Sequence, residues 1–296
     1  MEDYELILFD RINVIRDTIN KYGEENFYLS LSGGKDSTVL HYLIDKALPS
    51  NTIPRIFIDT GIEYQKIREF VYKLAEKDKR IVIIKPSKPI LTTLNEYGFP
   101  FKSKQHSHNL AIYQRSGLTR AVRVYLGEDI TQTGKTGFFK CPEALRYQFT
   151  PEFKIKCSDL CCQKMKKEPA LKWAKENKKT ITLTGMRSEE GGARLHLGCI
   201  IKNSDGSLRK FHPLVKVSDE WLNEFIEKEK IKLCELYYDP YNFKRTGCKG
   251  CPFALHLQEE LSKLKELLPN EYKQCEIIWK PVYEEYRKIN YRLKEK

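Results

Sequence analysis

The chain has 296 residues, of which 41% are hydrophobic and 31% charged, and its formal net charge is +12. This composition excludes a disordered or fibrous polymer. The absence of any apolar run near the roughly 18–20 residues that span a bilayer excludes a membrane-spanning helix bundle and a membrane partner. The positive balance turns the chain toward polyanions: nucleic acid, nucleotides, or small phosphorylated or sulfated molecules. The acidic start Met1-Glu2-Asp3 carries no signal-peptide pattern, so a cytoplasmic protein is expected. Nine cysteines in such a chain suggest a metal site or a reactive thiol rather than a disulfide framework.

In chain order, Leu6, Ile7, Phe9, Ile12, Ile15 and Ile19 recur at helical spacing between Tyr4 and Tyr22, and Gly23 ends that helix. Phe27 to Leu31 reads as a buried strand that runs into a glycine loop. Asp36 to Leu48 is predicted as a helix closed by Pro49. Ile56-Phe57-Ile58 is the next strand, ending at Asp59-Thr60-Gly61. A helix carrying Ile67, Phe70, Val71 and Leu74 follows, then a strand over Ile81–Ile84. This alternation predicts an α/β fold with a parallel sheet, ligands binding at the carboxyl ends of its strands.

Between Pro89 and Phe153 the pattern loosens, with Gly98, Gly117, Gly127, Gly134 and Gly137 separating short basic stretches. This reads as an insertion or lid of short helices. A helix is predicted over Cys161–Asn177 and a strand over Thr180–Thr184, leading into Gly185-Met186-Arg187. Ser218 is a candidate N-cap for a further helix. The tail from His256 to Leu293 looks helical, with breaks at Pro269 and Pro281.

The run Ser32-Gly33-Gly34-Lys35-Asp36-Ser37 joins a strand to a helix. Two glycines admit a polyphosphate close to the backbone, and the helix start offers unpaired N–H groups and a positive dipole end. Lys35 adds charge, and Ser32 and Ser37 add hydroxyls. Asp36 repels a bare phosphate, so its task is to position Mg²⁺ or to cap the helix. Arg187 and Arg194 flank Gly191-Gly192. Their guanidinium forks suit a phosphate or sulfate; the competing reading of Arg187 is an ion pair with Glu189 or Glu190. Cys248 and Cys251 form a Cys-x-x-Cys turn, and Cys161 and Cys162 are adjacent. In a regular helix adjacent side chains diverge by about 100°, so one shared centre needs a large cluster or a distorted helix start. Four thiolates suit Zn²⁺ or [4Fe–4S]. Cys157 is a candidate alternative ligand or sulfur-carrying thiol, and Cys141, Cys199, Cys234 and Cys275 read as buried small hydrophobes. The histidines show no metal-ligand spacing.

These motifs resemble those of the phosphoadenosine phosphosulfate (PAPS) reductase family of the PP-loop ATP pyrophosphatase superfamily. The resemblance rests on Ser32–Ser37, on Asp59-Thr60-Gly61-Ile62-Glu63-Tyr64, and on Cys161-Cys162 with Lys166-Lys167-Glu168-Pro169. It extends to Gly185-Met186-Arg187-Ser188-Glu189-Glu190 with Arg194, and to Arg245 through Phe253. It implies a PP-loop (HUP/adenine nucleotide alpha hydrolase-like) parallel sheet with helices on both faces and a cysteine-rich C-terminal part. The implied division is an N-terminal helix at 1–25, a PP-loop domain at 26–255 with an insertion around 90–153, and a helical extension at 256–296.

Implied site roles are nucleotide binding by Ser32, Gly33, Gly34, Lys35, Asp36, Ser37, Asp59 and Gly61, with Lys35, Asp36 and Cys157 as the catalytic set. Arg187 and Arg194 would hold the substrate anion, and Cys161, Cys162, Cys248 and Cys251 a [4Fe–4S] cluster, with zinc as the alternative. Reductases of the family use a nucleophilic cysteine in a Glu-Cys-Gly-x-His tail and carry a degraded loop. Here the loop is complete, and Cys275 lies in Lys-Gln-Cys-Glu. The expectation is therefore ATP-dependent adenylation, with Mg²⁺, releasing AMP and pyrophosphate. It would be coupled to sulfur transfer from a donor protein or thiol onto tRNA, DNA or a nucleotide. The alternatives are a PAPS or adenylyl-sulfate reductase releasing sulfite, and a non-catalytic nucleotide- or nucleic-acid-binding regulator.

Overall fold

The computed structural model describes residues 3–134, 140–191 and 194–294. Gly137 and Gly192 of the sequence reading lie outside them. The strands are β1 (Phe27–Ser30), β2 (Arg55–Ile58), β3 (Ile81–Ile84), β4 (Ile181–Leu183), β5 (Ile200–Lys202) and β6 (Leu208–Phe211). The helices of the first half are α1 (Asp3–Tyr22), α2 (Lys35–Ala47), α3 (Gln65–Lys77), α4 (Ile90–Tyr97), α5 (Lys104–Ser116) and α6 (Arg120–Leu126). Those of the second are α7 (Glu168–Glu176), α8 (Asp219–Lys228), α9 (Leu257–Leu267), α10 (Pro269–Ile278) and α11 (Lys280–Lys288). No helix among the described residues is long and apolar enough to cross a membrane.

The chain forms two compact units. The first takes the residues up to Asp59, Glu63–Lys85 and Pro169–Gly247. Its six strands lie in the order β3-β2-β1-β4-β6-β5. β1 runs parallel to β2 and β4, β2 to β3, and β4 to β6, while β5 is an antiparallel edge on β6. Side chains alternate across the sheet as period-2 geometry requires. Phe27 and Leu29 enter a core with Ile15 and Ile19 of α1, Val39, Leu40, Leu43 and Ile44 of α2, and Trp221, Leu222 and Phe225 of α8. Tyr28 faces the other way, with Ile56, Ala174 and Trp173. Each fully buried aliphatic or aromatic side chain contributes roughly 1.5–3 kcal/mol, so both faces are sealed by helices. The β5–β6 hairpin is not evident from the sequence, because Ile200-Ile201-Lys202 and Leu208-Arg209-Lys210-Phe211 are short and half charged.

Strand order reverses on either side of β1, which places a crevice at the carboxyl ends of β1 and β4. The Ser32–Ser37 loop follows β1, and Gly185-Met186-Arg187 follows β4.

The second unit comprises Thr60–Ile62, Pro86–Glu168 and the residues from Cys248 onward. It holds α4, α5 and α6 and the C-terminal helices α9 to α11. Pro269 and Pro281 each sit in the first turn of a helix, α10 and α11, where the missing N–H breaks no hydrogen bond.

Candidate functional site

The glycine loop is held by its own serines. Ser37 Oγ donates to the Gly34 carbonyl (3.0 Å) and accepts from the Ser32 N–H (3.1 Å), and the two serine hydroxyls meet at 2.9 Å. Gly33 has φ +73°, and a β-carbon there would lie 2.7 Å from Val71 and 2.9 Å from Ile67. Only glycine takes that left-handed turn at no cost. At the start of α2, the Lys35 N–H donates to Tyr237 Oη (2.9 Å), which also bonds Thr246 Oγ1 (2.6 Å). Neutral hydroxyls thus flank the positive end of this helix, the arrangement in which backbone N–H groups and dipole favour an anion.

Around the loop runs a charge network. Arg187 is almost fully buried. Its Nε donates to Asp36 (2.7 Å), Nη2 to Asp219 (2.5 Å), and Nη1 to Glu189 (3.0 Å) and the Val217 carbonyl (3.1 Å). Lys35 Nζ reaches Asp219 (3.4 Å) and Asn223 (3.3 Å). Burial alone lowers the Arg187 pKa, but Asp36 and Asp219 more than reverse it. Burial likewise opposes ionisation of Asp219, and Arg187 and Lys35 outweigh it and hold the carboxyl below its usual range. Ser218 caps α8 by accepting from the Trp221 N–H (3.1 Å), and Glu189 accepts from the Asp219 N–H (2.6 Å), fixing Asp219 at the first helical position. Of the two readings of Arg187, the ion pair with Glu189 is observed, and Asp36 and Asp219 extend it. The side chain of Glu190 lies outside what is described.

Asp59 ends β2 with its carboxylate bound by Arg68 Nε and Nη2 (2.8 and 2.9 Å) and the Tyr72 hydroxyl (2.9 Å), all from α3. Arg194 is half-buried and, with Lys210, adds to the burial that lowers the His212 pKa to about 4. Gly61 (φ +79°) belongs to the segment Thr60–Ile62 of the second unit, which is fixed there by Lys249 N–H donating to the Ile62 carbonyl (2.9 Å). Tyr237, Asp219 and Asn223 were not singled out from sequence, whereas Gly185 was. Only Gly185 carried a signal, as a glycine directly after a β-branched strand.

The second constellation lies wholly in the second unit. Burial raises the thiol pKa of Cys161, and Cys248 and Cys162 push it further. Burial does the same to Cys251, followed by Cys248, Cys162 and Cys161. All four thiols therefore share one neighbourhood, and none is in a disulfide. A π-helical turn, Gln163–Lys167, follows directly on Cys161-Cys162. Such a turn adds a residue to the helix repeat and re-aims the side chains around it.

The Cys248–Cys251 turn is clamped by the C-terminal helices. Gly250 N–H donates to Glu260 (2.9 Å), Tyr283 donates to the Gly250 carbonyl, and Trp279 Nε1 donates to the Lys249 carbonyl (3.1 Å). Buried Lys249 bonds Gln274 (2.6 Å) and faces Glu271 (3.5 Å). Cys248 and Cys251 on this turn, and Cys161 and Cys162 just before the π turn, are soft sulfur donors of the type that zinc and iron–sulfur clusters take.

Cys157 is not brought to this group. It is 2% exposed, bridges to Phe99, and its thiol is raised by burial and by Glu285. Cys275 is fully buried under Gly250, its thiol pushed up to about 12 by burial.

Residues 26–135 and 139–254 match the profile of the phosphoadenosine phosphosulfate reductase domain. Over 293 residues the chain is 27% identical to the uncharacterized protein MJ0973 of Methanocaldococcus jannaschii, covering 93% of this chain and 55% of that protein. A GMP synthase [glutamine-hydrolyzing] of Thermosipho africanus is 44% identical over 69 residues, covering 22% of this chain and 13% of the synthase. The chain thus spans about half the length of the first of these relatives and a small part of the second. Among solved structures, a phosphoadenylyl-sulfate reductase from Candida auris aligns with 18% identity and a TM-score of 0.44, covering 80% of this chain and 93% of that one.

Proposed function

The chain belongs to the phosphoadenosine phosphosulfate reductase domain family, and from that premise we propose that it is a PP-loop enzyme that adenylates an acceptor with ATP. In the coupled step of this proposal, sulfur from a donor protein or thiol bonds to the acceptor atom, the bond from that atom to the adenylated oxygen breaks, and AMP leaves. The observation that carries the reading is the complete Ser32–Ser37 loop at the sheet's crevice, with Lys35 and Asp36 both anchored through Asp219 and Arg187.

In this reading an acceptor oxygen attacks the α-phosphorus of ATP, the bond to the α,β-bridging oxygen breaks, and pyrophosphate leaves. The loop N–H groups, the start of α2 and Lys35 take up the charge developing on the leaving group. Asp36 is the ligand for the Mg²⁺ that accompanies ATP, since its carboxylate is aimed by Arg187. Three acids (Asp36, Asp219, Glu189) against two cations (Lys35, Arg187) suit a magnesium complex better than a bare polyphosphate. Arg187 is then a positioning residue for Asp36, while Arg194 keeps the role of partner to the acceptor's anionic group. Asp59, held by Arg68, lies at the strand end assigned to the nucleoside.

Cys161, Cys162, Cys248 and Cys251 would hold an iron–sulfur cluster or zinc; such a cluster supplies electrons or sulfur when bound. Burial disfavours Cys157 as a thiolate carrier of sulfur; a cluster held by the four cysteines would supply that chemistry instead. The net positive charge supports a tRNA or DNA acceptor.

A second reading, sulfonucleotide reduction with release of sulfite, is favoured by the family itself. Against it stands Cys275, a fully buried thiol with a raised pKa and so a poor nucleophile. Incubating the metal-loaded protein with ATP, PAPS or adenylyl sulfate, with and without tRNA or DNA, separates the readings. Pyrophosphate release stimulated by nucleic acid supports adenylation. Sulfite release with a dithiol reductant and no pyrophosphate replaces it with the reductase, and binding with neither product replaces it with a regulator.

A further inference from the structure

Beside the glycine loop of the first unit, two hydroxyls enter from a segment distant in sequence. Tyr237 ends the short 3₁₀ turn Glu235–Tyr237, in which fully buried Leu236 accepts at its carbonyl from the Phe243 N–H (2.8 Å). Glu235 of the same turn pairs with Lys66 of α3 (2.6 Å). The turn so fixed carries Tyr237 Oη to the Lys35 N–H (2.9 Å) and to Thr246 Oγ1 (2.6 Å). A β-carbon built on Gly34 would lie 3.3 Å from Tyr237 Oη, 3.4 Å from Thr246 Oγ1 and 3.3 Å from Ser32 Oγ. Three hydroxyls therefore gather around the middle of the loop.

Ser37 donates its proton to the Gly34 carbonyl (3.0 Å), so Ser32 is the donor where the two serine hydroxyls meet (2.9 Å). Both serine protons are thus spent inside the loop. Tyr237 and Thr246 also carry two protons, and their mutual bond uses only one of them. The Lys35 N–H is a donor and takes up none. Neither hydroxyl donates to any other acceptor among the described residues. One O–H of the pair is left over, next to the backbone N–H groups that start α2. Burial raises the Tyr237 pKa and outweighs the lowering by Thr246 and the Lys35 N–H, so the phenol keeps its proton at neutral pH. A surplus donor lies beside Gly34.

We propose, on the reading of Ser32–Ser37 as the polyphosphate loop, that Tyr237 and Thr246 act as one two-hydroxyl donor to that polyphosphate. One proton is held between them and the other is given to a phosphate oxygen, an O–H bond to an anion being among the stronger kinds. Either hydroxyl alone still has one proton to give, so each covers for the loss of the other. A mere brace for the start of α2 behaves differently, because Thr246 would then matter only through Tyr237.

The test is equilibrium binding of inorganic pyrophosphate, with Mg²⁺, to the full-length, metal-loaded protein and to variants first shown to be folded by circular dichroism. Thr246→Val alone is expected to leave the affinity near that of the parent, because Tyr237 then turns its proton to the anion. In a Tyr237→Phe background the same substitution removes the last hydroxyl proton and is expected to weaken binding about tenfold or more. Thr246→Ser, which keeps a hydroxyl, is expected to match Tyr237→Phe alone in that background. A brace gives the opposite pattern, a loss on Thr246→Val in the parent and none in Tyr237→Phe. That pattern, or an equal effect in both backgrounds, overturns the assignment. Lys35→Ala tests the loop separately: a parent that binds pyrophosphate and a variant that loses it uphold the loop whatever the hydroxyl variants do. A parent that takes up none, or a Lys35→Ala protein equal to it, overturns the loop reading and the assignment with it.

Discussion

A β-carbon at Gly185 would lie 2.7 Å from the carbonyl oxygen of Asp36 and 3.0 Å from the nitrogen of Ser37. The turn after β4 therefore touches the backbone that starts α2, and backbone does not yield as a flexible side chain does. Gly185→Ala is expected to push that helix start outward, costing about 1–3 kcal/mol in urea unfolding. It should cut pyrophosphate release while leaving the metal content unchanged; an unaltered rate would remove Gly185 from the site. Acid sensitivity also belongs at this scale. Burial holds His41, His106 and His212 at about 4. The unfolded chain takes up these protons near pH 6.5, whereas the folded chain refuses them until about pH 4. Stability is thus fully present above pH 6.5 and falls as pH drops through this window, by up to about 1.4 kcal/mol per pH unit for each histidine. Urea midpoints measured from pH 7 to 4.5 check the slope. The glycine run, the arginine and the paired cysteines were legible from spacing alone. Tyr237 and Asp219 were not, because a hydrogen bond spanning some 200 positions, such as Lys35 to Tyr237, leaves no local pattern.

Elements carry the next level of control, and the Cys248–Cys251 turn shows it best. The side chains of Glu260, Trp279 and Tyr283 satisfy its backbone groups, so helices without a metal ligand of their own hold the turn in shape. Tyr283→Phe leaves a buried carbonyl unpaired, at about 1–3 kcal/mol. The variant is expected to lose metal to a chelator faster than the parent, read by metal analysis over time; equal rates would assign the clamp to folding alone. A second buried corner ties α2 to β2. Fully buried Arg55 is held by Asp45 (2.6 Å) and by Asn51 (2.7 Å), with Arg80 sharing Asp45 (2.8 Å). Asp45→Ala strands the buried guanidinium and should destabilise by about 3–5 kcal/mol, measured by thermal and urea unfolding. Strands β1 to β4 and helices α2 and α3 follow their hydrophobic period closely, because both faces of the sheet are covered; in α1 Ile15 and Ile19 are buried, but Leu6, Ile7 and Phe9 of the same reading are exposed. The β5–β6 edge escapes such reading, since an edge hairpin with Lys202, Arg209 and Lys210 looks like solvated loop. The π turn after Cys162 is equally invisible to periodicity, and the adjacent cysteines left open either a large cluster or a distorted helix start.

At the scale of the molecule, the first unit holds the glycine loop and helix start with their charge network, and the second holds the four cysteines. Family membership fits both reduction and adenylation, so the deciding property is what the glycine loop does with ATP. The net charge of +12 adds a whole-chain expectation, that nucleic-acid stimulation weakens steeply with added salt. The most direct test is the product of ATP turnover in the parent and in Lys35→Ala. The account predicts AMP and pyrophosphate in equal amounts from the parent and a loss of about a hundredfold or more in the variant, the scale of removing one charge-stabilising group. Unchanged pyrophosphate release in Lys35→Ala, or sulfite from PAPS with no turnover of ATP by the parent, would contradict it.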